Sequence, residues 1–503
     1  MQTDKDLKSA LGIAENRLVS LLFQKGRALE KTGRLDEAEA IYRELLQHDP
    51  AHRQTLNELG NLLFARGRSL AARPFYEQAV EFHPMDPMSL VNLGNLLMKA
   101  NELPAARKLF DRALQVNPDY RPAHGGMSFV LRDQGETEQA AVHRRVAFQD
   151  HCVFSAPYRG AQPPITILEL VSTIGGNVRS QEFLNDRVFK RFLVATEFFN
   201  STTALPPHDL VFNSIGDSDS APVALAIAQS VFEHTQTPII NHPAAVQATG
   251  RCLVAERLAQ VPNVIVPKTI MLPRKVLAAP DFEATLSREG FTFPLLLRSP
   301  GFHGGDHFVK VETPNELAPA LADLPGERLL VIQYLDARGR DGKTRKYRIM
   351  MVDGKLYPLH VAISQTWKIH YFSAEMAENA EHRAEDAAFL NDMAGVLGPR
   401  AIAAFEQIQS KLGLDYGGVD FGINANGEIL LFEANATMAV LVPDKGKQWD
   451  YRRLAVETIY KAVWTMLINR AIPAVDRNSS RVLIGPACRT AGRRGQGRIV
   501  VHN

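Results

Sequence analysis

The stretch Gly417–Asn435, GGVDFGINANGEILLFEAN, decides how the C-terminal part of the chain is read. It reads as a β-hairpin, with Val419–Ile423 as one strand, Asn424-Ala425-Asn426-Gly427 as the turn and Glu428–Phe432 as the returning strand. Asn-Gly beside short β-rich runs is a strong local hairpin signal. Asp420 falls near the start of the hairpin, and Glu433 and Asn435 fall near its end. Side chains two apart on an extended strand share a face, so Glu433 and Asn435 project together. Two carboxylates and an amide oxygen converging on one point form a hard-oxygen site. Mg²⁺ accepts such a set when nucleotide phosphates supply its other ligands. Asp420, Glu433 and Asn435 are the candidate metal ligands.

The N-terminal third carries a strict period. Gly26, Gly60 and Gly94 are 34 apart, as are Ala38, Ala72, Ala106 and Ala140, and Pro50, Pro84 and Pro118; Tyr42, Tyr76 and Phe110 keep the same interval. This period and pattern resemble tetratricopeptide repeats, pairs of antiparallel helices stacked into a solenoid. Small residues belong where two helices approach closely, and proline ends the second helix of each pair. Gly33, Gly67, Asn101 and Gly135 occupy the turn between helices, where a left-handed backbone is tolerated. Repeats are expected at 19–52, 53–86 and 87–120, with a degenerate fourth at 121–152. The resemblance implies a peptide or protein partner, with Arg53, Asn57, Asn61, Asn92 and Asn95 as contributors on the first helices. A role confined to assembly stays open.

Bulk properties narrow the rest. A chain of 503 residues with 45% apolar and 22% charged residues has the material for two to four globular domains. A net charge of +2 gives no global case for nucleic-acid or membrane binding. Cys152, Cys252 and Cys488 lie far apart without metal-ligand spacing, which argues against a disulfide framework and fits a reducing cytoplasm. The start, MQTDKDLKSALG, lacks the apolar core of a secretory signal.

A Pro-rich linker over 153–164 precedes an α/β domain expected over 165–242. Its strands are Ile165–Val171, Phe192–Phe199, Leu210–Asn213 and Pro238–Asn241, alternating with helices, so a parallel sheet is expected. The loop after Asn213 carries Asp217 and Ser218, at the strand end where such sheets bind ligands. A second domain is expected over 243–475. It runs through a helix Val246–Gln260, the strand–loop–strand Phe293–Val311, an apolar strand Leu329–Leu335, a basic strand Lys343–Val352, its partner Leu356–Ile363, helical residues 382–412, the hairpin and a final helix Tyr451–Arg470. The tail 476–503, with Arg493, Arg494 and Arg498, is expected to be basic and disordered.

Asp420 followed thirteen residues later by Glu-Ala-Asn, with these upstream features, resembles the ATP-grasp ligases, the superfamily of the RimK-type and D-alanine–D-alanine ligases. The implied fold is multidomain: an all-α tetratricopeptide solenoid, an α/β pre-ATP-grasp domain and an α+β ATP-grasp domain. The resemblance implies ATP and Mg²⁺ as cofactors. Arg251 and Arg298 stand where the family carries phosphate-binding lysines. Phe302-His303-Gly304-Gly305 is the loop over the triphosphate, and Gln333, Tyr334 and Leu335 are the adenine hinge, with Asp336 at the ribose. Arg348 faces the transferring phosphoryl group, and His360 points into the same cavity. Lys368 and His370 suit an anionic substrate. Arg298, Arg348 and His360 are thus the implied catalytic groups.

The resemblance implies a carboxylate–amine ligase working through an acyl phosphate, with a peptide or protein held by the repeat array as substrate. Two departures stand against it. Arginine replaces lysine at both phosphate positions, and Gly418 replaces the arginine that D-alanine–D-alanine ligases carry two residues before the metal-binding Asp. They keep open an alternative, a repeat-containing adaptor whose ATP-grasp part binds nucleotide without turnover. Gly342-Lys343-Thr344 lacks the leading glycine of a P-loop, because Ala337 stands there.

Overall fold

The computed structural model describes residues 2–302, 305–369, 374–443 and 446–472, with side chains from Glu15 onward. His303, Gly304, His370, Cys488 and the basic tail, all singled out above, lie outside the described residues. The chain divides into two compact units. Among the described residues, one takes in those up to Glu169 together with Leu184–Asp209, and the other takes in Leu170–Phe183 and residues 210–472.

The first unit begins with an all-helical array: α1 (Gln2–Lys31), α2 (Leu35–His48), α3 (Arg53–Ala65), α4 (Ser69–Phe82), α5 (Pro87–Lys99), α6 (Leu103–Val116), α7 (Arg121–Asp133) and α8 (Thr137–Phe148). The helices pair because one aromatic ring per pair fills the space left by one glycine. A Cβ added at Gly60 meets the Tyr76 ring at 2.4 Å, one at Gly26 meets Tyr42 at 2.4 Å, and one at Gly94 meets Phe110 at 2.7 Å. The turn slots Gly33, Gly67, Asn101 and Gly135 have φ of 75, 72, 65 and 85°, the left-handed region that glycine and asparagine enter at least cost.

Successive pairs are tied by ion pairs at equivalent repeat positions. Arg73 meets Glu102 at 2.8 Å and Arg107 meets Glu136 at 2.6 Å. The first tie has reversed polarity, with Glu39 meeting Arg68 at 2.8 Å. Two of the asparagines expected on the partner face, Asn57 and Asn92, bond to each other inside the array. Asn57 and Asn92 are buried; Asn92 donates to Asn57 at 2.7 Å, and Asn57 donates to Ser89 at 2.8 Å. They join α3 to α5, a polar contact inside the array that is satisfied because it is reciprocal. Tyr76 donates to Asn61 at 2.7 Å, and Arg53 pairs with Asp86 at 2.7 Å.

Beyond the array, β1 (Val153–Ser155) pairs antiparallel with β3 (Phe189–Ala195), and β2 (Ile165–Val171) lies between them in sequence. The strand expected at Phe192–Phe199 therefore lies earlier and ends in a 3₁₀ turn at Thr196–Phe198. In the second unit β4 (Leu210–Asn213) pairs with β5 (Ile239–Ile240) in parallel. The strands here are thus of mixed direction rather than uniformly parallel.

Two more sheets follow. β7 (Thr269–Pro273), β8 (Leu295–Arg298), β9 (Phe308–Val311) and β10 (Arg328–Gln333) form a sheet of order β7-β10-β8-β9. β6 (Val264–Ile265), β11 (Thr344–Val352), β12 (Lys355–Ser364), β13 (Tyr416–Ile423) and β14 (Ile429–Asn435) form a sheet of order β12-β11-β13-β14-β6. One face of this last sheet is apolar. Tyr347 stacks on Phe421 with centroids 5.2 Å apart, and the helices Ala380–Asn391 and Pro399–Leu412 cover both rings through Phe389 and Phe405. Burying such rings contributes on the order of 2 kcal/mol each and leaves the opposite face to the polar side chains.

Candidate active site

On the opposite face, four polar side chains stand in one row across four strands. His360 on β12 is in register with Arg348 on β11, Arg348 with Asp420 on β13, and Asp420 with Glu433 on β14. Two bulges make this row. From Val352↔Lys355 to Ile349↔Pro358 the β11·β12 register is regular, and it shifts between Ile349 and Arg348, leaving Leu359 as the extra residue. The β13·β14 register is regular from Ile423↔Ile429 to Phe421↔Leu431 and shifts before Asp420, leaving Phe432 as the extra residue. Without the bulges Arg348 would face Leu359 and Asp420 would face Phe432. A slip of one residue turns every later side chain to the other face.

The first bulge is held from below. Asp386, fully buried, accepts from the Val361 N–H at 2.8 Å and from the Tyr451 hydroxyl at 2.6 Å. Arg452 lies 3.6 Å from the same carboxylate and donates to the carbonyl of Leu359 at 3.4 Å. The Val361 N–H on this edge strand and the carbonyl of the extruded Leu359 thus find partners. Burial pushes the Asp386 carboxyl up to about 6, against the pull of Arg452.

The row is electrostatically closed. Arg348 grips Asp420 with two parallel hydrogen bonds, Nε to Oδ1 at 2.5 Å and the second guanidinium nitrogen to Oδ2 at 2.8 Å. Lys346, on the same face of β11, adds a contact of 3.2 Å. Burial alone would raise the Asp420 carboxyl, but Arg348 and Lys346 outweigh it and hold the group ionised, well below the usual carboxylate range. Arg251 bridges Glu433 at 2.5 Å and Asp219 at 2.7 Å. Burial opposes the charge on Glu433, and Arg251 with Arg298 overcomes it, so this carboxyl is also lowered. His360 is buried beside Arg348 and Arg452, and burial first, then those cations, keep the imidazole neutral.

The expected helix Val246–Gln260 is broken into Pro243–Gln247 and Arg251–Leu258. Gly250 sits in the break, where a Cβ would lie 3.3 Å from both Asp219 Oδ1 and Ser218 Oγ. That close approach lets Arg251, at the start of the second helix, reach the loop and Glu433 together. Asp219 was not legible in sequence, because its pairing with Arg251 exists only in the folded chain. Asp217, read as a substrate candidate, is buried and accepts from Ser220 Oγ at 2.7 Å. Asn213 is consumed by structure, donating to the Asn241 carbonyl at 2.9 Å.

The remaining site residues fall on the neighbouring sheet. Arg298 ends β8, lies 5.5 Å from the Phe308 ring and donates to the Phe302 carbonyl at 2.6 Å. Burial and the charge of Arg251 make its cation harder to keep. Gly305 has φ of 88°, and a Cβ there would press on Lys368 at 2.9 Å. Gln333 ends β10, donating its N–H to the Lys268 carbonyl at 2.9 Å, and Tyr334 and Leu335 follow beyond the sheet. Lys310 lies 3.8 Å above the Tyr334 ring. Asp336 is paired with Arg338 at 2.5 Å, so its carboxylate already has a cation.

Asn435 stands opposite Gly418, and its Oδ1 accepts from both N–H and Oγ1 of Thr437 at 2.9 Å. Gly418 has no room for a side chain. A Cβ would meet the Ile349 carbonyl at 2.7 Å, Met438 at 3.0 Å and Met350 at 3.1 Å. Among the described residues no group of three or more His, Cys, Asp or Glu side chains is assembled as a metal site. The donor set of Asp420 and Glu433 still has the chemistry a hard cation needs, two carboxylates held ionised and in register.

The tetratricopeptide repeat family matches residues 23–87 and again 63–128. The N-terminal helices are tetratricopeptide repeats. No curated protein sequence matches the chain. Among solved structures the chain is similar to MamA, at 24% identity over 24% of this chain and 71% of that chain, with a TM-score of 0.23. It is similar to MamA 41-end from Desulfovibrio magneticus RS-1, at 22% identity over 25% of this chain and 73% of that chain, with a TM-score of 0.24. It is also similar to the VanG D-Ala:D-Ser ligase from Enterococcus faecalis, at 14% identity over 62% of this chain and 100% of that chain, with a TM-score of 0.38. Among the described residues no helix is long and apolar enough to cross a membrane.

Proposed function

We propose that this protein is an ATP-dependent carboxylate–amine ligase of the ATP-grasp kind, with domains over 165–242 and 243–475, acting on a peptide or protein held by the tetratricopeptide repeats. The observation that supports it best is the His360–Arg348–Asp420–Glu433 row, built by two bulges on one face of a sheet. Arg251, Arg298, Lys346 and Arg348 balance Asp217, Asp219, Asp420 and Glu433, four cations against four carboxylates. An entering triphosphate draws the guanidinium groups to its oxygens, since arginine binds phosphate in the same forked geometry as carboxylate. The carboxylates so released, Asp420 buried and Glu433 half-buried, require a new cation.

Asp420 and Glu433 would hold Mg²⁺, with Asn435 beside them once its oxygen leaves Thr437. When bound, Mg²⁺ neutralises charge developing on the phosphates. Arg298 and Arg348 supply fixed positive charge around the γ-phosphoryl group as it passes to the substrate carboxylate. ADP leaves, the amine attacks the acyl carbon, and phosphate departs as the amide forms. His360, kept neutral, would orient the substrate through a hydrogen bond, and the proton of the attacking amine would leave with the phosphate. Gly305 and Phe302 flank the loop that would exclude water from the acyl phosphate. The hinge Gln333–Leu335 would take the adenine.

The test is ADP release from protein, Mg²⁺ and ATP with pools of carboxylates and amines. Glu433→Gln is expected to abolish turnover while the far-UV circular dichroism stays that of the wild type. Normal nucleotide binding without turnover in any pool would favour the adaptor reading, and undiminished turnover in Glu433→Gln would refute the metal assignment.

A further inference from the structure

In the last helix pair of the array, two histidines meet nitrogen to nitrogen. His124 on α7 and His143 on α8 have their Nδ1 atoms 2.8 Å apart, with ring centroids separated by 4.9 Å. The Nε2 of His124 lies 2.7 Å from the Pro118 carbonyl oxygen. A carbonyl only accepts, so Nε2 carries the hydrogen and the Nδ1 of neutral His124 is a bare lone pair. The Nδ1 of His143 is then the donor. Moving that one proton to its own Nε2 gives the other neutral tautomer and leaves two lone pairs aimed into one space. An imidazole whose second N–H is fixed on a backbone carbonyl is the arrangement metal-binding histidines adopt.

We propose that His124 and His143 form a clasp for a divalent transition-metal ion of the Zn²⁺, Ni²⁺ or Cu²⁺ class, bound through both Nδ1 atoms with water completing the shell. Imidazole suits these ions and does not suit Mg²⁺. Two nitrogens each about 2.0–2.1 Å from a tetrahedral ion stand about 3.3 Å apart, so the pair opens by about half an ångström. Both rings are half-buried, which leaves water access to the metal. The exposed carboxylate of Asp111 on α6 acts electrostatically on His143, as does Arg107, whose own charge is held by Glu136 at 2.6 Å. No third protein ligand from His, Cys, Asp or Glu joins them among the described residues. The binding is therefore weaker than that of a closed four-ligand site. Its consequence is mechanical, since the ion joins α7 to α8 and so stabilises the folded end of the array by mass action.

The test is titration of the full-length protein with Zn²⁺ in excess Mg²⁺, which masks the oxygen-rich sites. One Zn²⁺ is expected to bind, His124→Gln and His143→Gln are each expected to weaken it at least tenfold, and the melting temperature is expected to rise with Zn²⁺ in the wild type alone. Should a variant fail to fold, the electron paramagnetic resonance of Cu²⁺ on the wild type decides, with coupling to two nitrogens expected. Zn²⁺ binding that is absent, or equal in wild type and both variants, or a Cu²⁺ spectrum without nitrogen coupling, overturns the clasp.

Discussion

The repeat array and the sheet that carries the candidate site solve the same problem, placing one side chain against another, by opposite means. In the array Tyr76 meets Gly60 sixteen residues away, and the same contact returns at Tyr42 with Gly26 and at Phe110 with Gly94. Each unit repeats its neighbour, so an error in one is local. In the sheet, Glu433 reaches Asp420, and His360 reaches Arg348, only because Leu359 and Phe432 are extruded from their ladders. Nothing repeats there, and one residue more or less would disperse the row. Regular packing tolerates approximate sequence, whereas a converged site depends on single irregularities.

The largest effect is expected from removing a charge from the row. Arg348→Ala leaves Asp420, 4% exposed at its side chain, with Lys346 as its remaining cation. Losing one partner of a buried pair costs about 3–5 kcal/mol. Urea denaturation is expected to show that loss, and a cost below about 1 kcal/mol would mean that the row is loosely held.

Next is the clasp beneath the first bulge. The Asp386 carboxyl is raised to about 6 in the folded protein, above its unfolded value. The folded state therefore favours the protonated form. Stability from this group is fully present below the unfolded value and is lost as the pH rises through about 6. Asp386→Asn, which keeps an oxygen for the Val361 N–H but cannot ionise, is expected to gain up to about 3 kcal/mol on the wild type between acid and neutral pH. Parallel denaturation curves at all pH values would refute the assignment.

The smallest effect belongs to the array. Gly60→Ala drives a methyl group into the Tyr76 ring, an overpacking of about 1–3 kcal/mol, offset by about 1 kcal/mol of better helix propensity. A net loss of about 1 kcal/mol is expected in urea, turning into a gain when Tyr76 is replaced by Leu. A loss of the same size in both backgrounds would show that the ring is not what excludes the methyl.

This difference also explains what was legible in the sequence. The array was readable in its turns, its glycines and its aromatic residues, because a fixed interval reports directly on packing. The interval does not say which way its polar residues face, and Asn57 and Asn92, on first helices, point inward between repeats. In the sheet, strand identity and the pair Asp420 and Glu433 are visible from alternation and the Asn-Gly turn, whereas Arg348 and His360 are singled out by the resemblance to the ATP-grasp ligases. The extruded residues are not visible. One hint was present: Pro358 lies inside a strand, which is where ladders are interrupted, and the interruption follows at Leu359. For Asp219 and the Asp386–Arg452 pair no local pattern exists, because their partners are brought together only by the fold.

The tight backbone at Gly418 makes the two flanks of Arg348 unlike. Along β11, Lys346, Arg348 and Met350 share a face, and Met350 with Met438 fills the space over Gly418. The guanidinium of Arg348 thus has a greasy wall on one flank and an ammonium group on the other. The Asp420 carboxylate that Arg348 grips therefore meets a second cation on the Lys346 side only.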